Sequence, residues 1–219
     1  MYAGHFAAVF LLYSYDSTVN SFLLTFGVVF IDIIMGILAY FSVEGFEWNP
    51  NGDGHGIELH IPISHSLLSS LCFSCLWGCL NSKHFGILFV SSFSHFVLDW
   101  FVHNLDLELY PFSNFFVGGI GLSSKYPRVA YYFELLLCIF SCILFIQMNS
   151  YKSLSLVLSI IYLFYLQCYR ALFIGSELYS LTQVTPKQKQ GRLTCQCTMK
   201  AFVIPAIVLG TLLELIPFV

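Results

Sequence analysis

The chain has 219 residues, of which 58% are hydrophobic and only 10% are charged, and its formal net charge is −3. A typical soluble domain carries roughly 25% charged residues, and a soluble chain of this length could not bury so much apolar surface in one core. The slightly acidic balance argues against nucleic acid as a partner, because nucleic-acid binding requires a basic face. The composition therefore predicts an integral membrane protein surrounded by membrane lipids.

The apolar segments predict an all-α fold. Residues 3–14 are too short to cross a bilayer comfortably, and we interpret them as a re-entrant or interfacial helix. A hydrocarbon core about 30 Å thick needs roughly 20 helical residues. Six later segments come close to that length: 22–42, 63–82, 85–103, 129–148, 153–174 and 201–218. We therefore predict a polytopic helical bundle with about six transmembrane helices, forming one integral membrane domain over residues 1–219.

The cysteines and the N-terminus add two smaller expectations. Six of the eight cysteines lie within apolar segments, where a thiol behaves as a small hydrophobic group. Cys195 and Cys197 instead share the hydrophilic segment 176–200, which we predict to be a loop. We treat all eight as reduced thiols, with metal binding or a disulfide as the alternatives for these two. The N-terminus lacks the basic region and cleavage site of a signal peptide, so the first span is expected to be retained.

Ionisable side chains within the apolar segments point to a site, because such groups are costly in lipid. Asp32 lies in the middle of the first predicted span, and His65 begins the second. The third span contains His95, Asp99 and His103 at positions i, i+4 and i+8. Since residues four apart share a helix face, these three form one polar stripe. Two imidazoles and a carboxylate are a suitable ligand set for zinc or another divalent metal.

The same residues also allow a structural interpretation. Histidine and aspartate within a membrane can form hydrogen bonds that fix helix packing, and Asp32 is either a proton-relay group or such a packing residue. Glu134, near the start of the fourth span, either belongs to the site or only interacts with the helix dipole. Arg170 and Glu214 lie near span ends and are expected to extend toward the membrane surface.

Four segments of the chain resemble bacterial membrane proteins known as membrane-bound metal-dependent hydrolases. They are AGHFAA at 3–8, FIDIIMG at 30–36, ISHSLLSS at 63–70 and FSHFVLDWFVHNLDLELYPFS at 93–113. The resemblance covers roughly residues 3–135, and residues 136–219 add further transmembrane helices. By remote similarity this family is grouped with the zinc-dependent phospholipase C and single-strand nuclease superfamily, which contains all-helical phosphodiesterases with His and Asp metal clusters.

The resemblance implies a metal site and a reaction. The implied metal ligands are His5, Asp32, His65, His95, Asp99 and His103. Asp106 and Glu134 are the implied general base, or carboxylates that orient a ligand histidine. His60 either replaces an aspartate that some relatives carry or lines the site entrance. We expect a divalent metal, zinc, and hydrolysis of a lipid or lipid-linked phosphodiester or ester by metal-activated water, in the bacterial inner membrane.

Two other classes of function fit the residues. A proton- or metal-ion-coupled transporter also needs a mid-span acid and buried histidines, and a non-enzymatic membrane scaffold could use the same groups only for packing. Unwound helices near mid-span and symmetry between two halves would favour transport. Gly27 and Gly36 flank Asp32, but no matching half follows later in the chain.

Overall fold

The computed structural model describes residues 1–48, 57–149, 153–184 and 187–216, and most of them are helical. The α-helices are α1 (Ala3–Tyr15), α2 (Ser21–Gly27), α3 (Phe30–Tyr40), α4 (Leu67–Gly78), α5 (Phe85–Val102), α6 (Leu122–Lys125), α7 (Pro127–Met148), α8 (Leu154–Tyr169), α9 (Gly175–Thr182), α10 (Lys187–Thr198) and α11 (Ile204–Glu214). A 3-10 turn (Ser82–His84) precedes α5, and π-helical turns follow α8 (Arg170–Ile174) and α10 (Met199–Val203). The predicted all-α class is confirmed.

The strands in the described part of the chain form two short antiparallel pairs, which we call hairpins. One pairs β1 (Gly45–Trp48) with β2 (Ile57–His60), and the other pairs β3 (Leu107–Glu108) with β4 (Phe116–Gly118). The first hairpin lies between α3 and α4, and the second follows α5. Both hairpins therefore flank helices that carry the predicted site residues.

Within the described residues, four helical segments are long and apolar enough to cross a membrane, which indicates a multi-pass membrane protein. They are Ser82–Val102, Pro127–Met148, Leu154–Phe173 and Lys187–Glu214. The number becomes five if α2 and α3, which meet at an angle of 55°, form one bent span. The prediction of six spans is therefore wrong.

The difference comes mainly from the segments 22–42 and 63–82. The first is broken between α2 and α3, around Val28 and Val29. The second contains only the 12 residues of α4 as helix, which at 1.5 Å per residue is about 18 Å long and too short for a bilayer core. Hydropathy alone detects apolar composition, but it does not show where a helix bends or ends.

The predicted hydrophilic loop 176–200 is also wrong, because α9 and α10 occupy it. Helix α10 packs closely along α3: a Cβ on Gly191 would lie 2.1 Å from the carbonyl oxygen of Ala39. The polar residues Thr194 and Thr198 are buried on the same side of α10. Small and polar residues therefore support helix packing here, as they do between membrane helices.

Helix α1 lies at the centre of the fold and contacts α2, α5, α7 and α8. Nine of its 13 residues are buried. The small residues Ala3, Gly4, Ala7 and Ala8 allow neighbouring helices to approach its backbone. The expected short N-terminal helix is therefore present, and it carries His5 into the interior.

Candidate metal centre

Histidine and aspartate side chains from four segments meet in the interior of the bundle. His5 comes from α1, Asp32 from the first turn of α3, His65 from the turn before α4, and His95 and Asp99 from α5. None of the five is more than 7% exposed. They form two overlapping groups of three ligands, His5–His95–Asp99 and Asp32–His65–His95, with the ligand atoms of each group within 4.8 Å of one another. These buried groups can hold a metal ion.

Two aspartates and two imidazole edges face one another within this cluster. His95 Nε2 lies 3.1 Å from Asp99 Oδ2 and 3.6 Å from Asp32 Oδ2. His65 Nε2 lies 3.6 Å from both Asp32 Oδ1 and Asp99 Oδ2. The two Nε2 atoms are 3.4 Å apart. The same nitrogen of both rings therefore faces both carboxylates.

Hydrogen bonds at the far edge of each ring determine which nitrogen carries a proton. His95 Nδ1 lies 2.8 Å from the carbonyl oxygen of Val28. A carbonyl oxygen only accepts hydrogen bonds, so His95 donates from Nδ1. In its neutral form the ring therefore presents the lone pair of Nε2 to the cluster, which is the arrangement that a metal-binding histidine requires.

His65 is held in the same way by two residues that the sequence interpretation did not include. Its Nδ1 lies 2.7 Å from the Ser64 hydroxyl oxygen, and that hydroxyl lies 2.7 Å from Glu44 Oε2. The carboxylate can only accept, so Ser64 donates to Glu44 and accepts from His65 Nδ1. Glu44 is itself buried and accepts from the backbone N–H groups of Ile63 and Ser64. This chain of hydrogen bonds orients His65 Nε2 toward the aspartates.

An arrangement of two carboxylates and two ring lone pairs needs positive charge among them. Within the structure, the Met1 α-amino group forms an ion pair with Asp99. Burial disfavours a charge on His65, but hydrogen bonds to Asp32 and Asp99 outweigh burial and raise the pKa of His65 to about 10. A proton therefore supplies charge at His65 Nε2, where a divalent cation would supply it equally well.

His5 provides a separate indication that the cluster fits a metal. Its side chain is fully buried, and its ring stacks on that of His95 with 3.9 Å between the centroids. Nε2 lies 3.2 Å from Asp99 Oδ1, and Nδ1 has no hydrogen-bond partner among the described residues. Burial lowers the pKa of His5 to about 3, so the ring is neutral. A buried polar group without a partner is costly, and coordination of a cation would satisfy it.

His103 and Asp106 lie beside the two groups of ligands. Helix α5 ends at Val102, and His103 has an extended backbone, so the predicted helical stripe stops one residue short of its last member. His103 Nε2 still lies 3.7 Å from Asp99 Oδ2, and its Nδ1 lies 3.3 Å from Asp106 Oδ1. Asp106 is therefore placed to orient His103.

Glu134 makes other contacts. Its carboxylate accepts hydrogen bonds from the backbone N–H groups of Tyr2 and Gly4 at 2.7 and 2.8 Å, at the N-terminus of α1. Its second oxygen lies 2.7 Å from Arg170 Nε. Glu134 thus anchors α1 and pairs with an arginine. His60, by contrast, is exposed on β2.

A cavity of about 400 Å³ adjoins the cluster. Asp32, His65, Asp99, His103 and Asp106 line one part of it, and Arg170 lines another. The apolar part of the wall includes Met35, Phe46, Leu59, Ile61, Leu181 and Phe202. A volume in this range is typical of sites for small organic ligands.

Comparison with known proteins yields no match to a family model, a curated protein or a solved structure. The chemistry of the site therefore rests on its own residues. Sequence reasoning missed Glu44, Ser64 and the inward orientation of Arg170. The SHS sequence at 64–66 contains a signal for Ser64, since a serine directly before a buried histidine can orient its ring.

Proposed function

We propose that the protein is a metal-dependent hydrolase embedded in the bacterial inner membrane, with zinc as its metal. Its substrate is a lipid or lipid-linked molecule containing a phosphodiester or an ester. The observation that carries this proposal is the meeting of His5, Asp32, His65, His95 and Asp99 in two overlapping, buried groups of three ligands beside a partly apolar cavity. Histidine nitrogens and carboxylate oxygens are the usual ligands of catalytic zinc.

A bound divalent ion supplies Lewis-acid chemistry, which activates water and polarises a phosphoryl or acyl oxygen. The chain supplies the rest. Glu44 and Ser64 hold His65 in position, and the Val28 carbonyl does the same for His95. Asp106, which lines the cavity and contacts His103, accepts the proton of the attacking water. The water oxygen then bonds to phosphorus or carbon, the bond to the leaving oxygen breaks, and that oxygen takes up the proton that Asp106 accepted.

Hydrolysis by the purified protein in lipid nanodiscs tests this proposal. The substrates are phosphodiester lipids and carboxylic ester lipids, assayed with native metal, after chelation, and after zinc is restored. We expect chelation to abolish hydrolysis and zinc to restore it, and His65→Ala to lower the rate at least about 100-fold. His60→Ala is the matched control, because His60 is exposed on β2. Hydrolysis that survives chelation and His65→Ala would disprove the metal-dependent mechanism.

A metal-ion transporter is the second candidate, and the break between α2 and α3 favours it. The two helices meet at 55° directly before Asp32, and broken helices with a buried acid are typical of ion sites in transporters. Zinc flux into proteoliposomes separates the two functions. Flux that depends on Asp32 without any hydrolysis would favour the transporter.

A further inference from the structure

Arg170 is a charged residue of the cavity that the proposed reaction does not yet use. It belongs to the candidate span Leu154–Phe173, at the point where α8 becomes a π-helical turn. A charge in a membrane span is costly and is a candidate functional residue by default. The side chain does not extend to the surface as the sequence suggested, because it is only 19% exposed and lines the cavity.

Glu134 holds Arg170 in this position. The glutamate is fully buried, and two backbone N–H groups at the start of α1 fix one of its oxygens. The other oxygen pairs with Arg170 Nε. A guanidinium has five N–H donors, and the ion pair with Glu134 engages the donor on Nε. The N–H donors on the two terminal nitrogens of the guanidinium are suited to bind a ligand in the cavity.

The acidic residues of the cavity have partners already. Asp106 Oδ1 lies 3.3 Å from His103 Nδ1, and Glu177 accepts a hydrogen bond of 2.8 Å from the Tyr169 hydroxyl. Both π-helical turns also contribute to the wall, through Arg170 and Phe202 among others. Such turns occur often at functional sites.

We propose that the cavity binds an anionic amphiphile, with its tetrahedral anionic group between Arg170 and the metal centre. The apolar chain lies against the apolar wall formed by Met35, Phe46, Leu59 and Leu181. Guanidinium groups bind phosphate oxygens in pairs through charge-assisted hydrogen bonds, whereas a neutral ester would offer the guanidinium only uncharged acceptors. The inference rests on the proposed hydrolase and narrows its substrate class from esters in general to phosphoester lipids.

Three probes separate the parts of this ligand. Dodecylphosphonate has an anionic head and an alkyl chain, and its C–P bond resists hydrolysis. Dodecanol keeps the chain without the charge, and methylphosphonate keeps the anion without the chain. Each is titrated calorimetrically into zinc-supplemented protein in a nonionic detergent at fixed concentration, and zinc content is measured on the same samples. We expect dodecylphosphonate to bind at least about 10-fold more tightly than either comparator.

Two variants test the role of Arg170. The double variant Arg170→Gln/Glu134→Gln removes both charges together, so it leaves no buried charge unpaired. We expect it to weaken dodecylphosphonate binding at least about 10-fold, which is the scale of one hydrogen bond to a charged group. Glu134→Gln alone separates loss of the arginine from loss of its ion pair, and the double variant should bind more weakly than this single variant. Arg128→Gln makes the same change at an exposed arginine of α7. It is the control and should not weaken binding.

Each outcome bears on the inference separately from the hydrolase. If zinc-loaded protein binds dodecanol as tightly as dodecylphosphonate, or if the double variant binds like the wild type, the anion site is overturned while the metal centre stands. Equally tight binding of methylphosphonate would overturn the amphiphile and indicate a small free anion. If the protein holds no zinc but still shows an Arg170-dependent preference for dodecylphosphonate, the amphiphile site at Arg170 is supported, while the hydrolase and the narrowing of its substrate class are contradicted.

Discussion

At the scale of single residues, the orientation of His65 depends on Glu44 and Ser64. Their hydrogen bonds of 2.7 Å place the ring so that Nε2 faces Asp32 and Asp99. Partners of this kind commonly change metal affinity 10- to 100-fold when they are removed. We therefore expect Ser64→Ala and Glu44→Gln each to raise the zinc dissociation constant at least about 10-fold, measured by competition with a chelator.

Ser66→Ala is the control for this prediction. Ser66 is also buried, but its hydroxyl caps α4 by accepting from the backbone N–H of Ser69. Loss of such a cap costs about 1 kcal/mol of stability and should leave zinc affinity unchanged. An equal loss of affinity in Ser64→Ala and Ser66→Ala would mean that the effect is general destabilisation.

The proton on His65 gives a pH-dependent prediction. Its pKa, raised from 6.5 to about 10 by the two aspartates, means that the chelated protein keeps this proton at neutral pH. The proton's contribution to stability is complete below pH 6.5 and is lost as the pH rises through about 10. Zinc must displace the proton, so we expect release of about one proton per zinc at pH 7.5.

Calorimetric titration of zinc in buffers with different ionisation enthalpies measures this release. His65→Ala should release about one proton fewer than the wild type, because the displaced proton belongs to that ring. Proton release that is the same in both proteins would show that His65 is not protonated before zinc binds.

At the scale of helices, α10 packs against α3, the helix that carries Asp32. Gly191 lies against the carbonyl oxygen of Ala39, and a Cβ there would come within 2.1 Å of that oxygen. Gly191→Ala forces the helices apart, and we expect it to destabilise the protein by about 1–3 kcal/mol. Gly86→Ala is the matched control on α5, where a Cβ would meet nothing within 4 Å.

Thermal unfolding in detergent compares the two substitutions. Gly86→Ala should be neutral or slightly stabilising, because alanine favours helix more than glycine does. A Gly191→Ala protein that unfolds at the wild-type temperature would contradict the close packing of α10 on α3.

The composition of each segment determines whether the sequence predicts the helix that it forms. Long apolar segments such as 129–148 and 153–174 correspond closely to α7 and α8, because their hydropathy and their length agree. The bend between α2 and α3 and the early end of α4 depend on tertiary packing, which hydropathy does not contain. Residues 187–198 are polar, so hydropathy likewise did not predict that they form a helix, which packs through its glycine and threonines.

The site residues likewise divide into those that the sequence predicts and those whose proximity depends on tertiary packing. His95 and Asp99 are one helical turn apart, so their proximity follows from spacing alone. The approach of His5 and Asp32 requires the positions of α1 and α3. The resemblance suggested His5, and the mid-span position of Asp32 suggested that residue, but no spacing predicts that the two meet. Glu44 is 20 residues from Ser64, and no local pattern predicts their contact. The role of Glu134 at the start of α1 depends on a neighbour 132 residues away.

At the scale of the whole molecule, the distribution of apolar and polar side chains suits a protein that is surrounded by lipid. Large apolar side chains such as Leu136, Phe140 and Ile161 are exposed on α7 and α8, where lipid can cover them. The buried ionisable groups Asp32, His65 and Asp99 instead lie inside, around the adjoining cavity. The lipid substrate proposed above would combine with such a polar centre inside an apolar bundle.

The central claim is that the buried histidines and aspartates bind a metal. Metal content by inductively coupled plasma mass spectrometry, on detergent-purified wild type beside His95→Ala/Asp99→Ala, tests it most directly. Exposed His60, changed in a His60→Ala protein, provides the control. We predict stoichiometric zinc in the wild type and the control, and its loss in the double variant. Well-folded wild-type protein without metal, or a double variant that keeps its zinc, would contradict the claim.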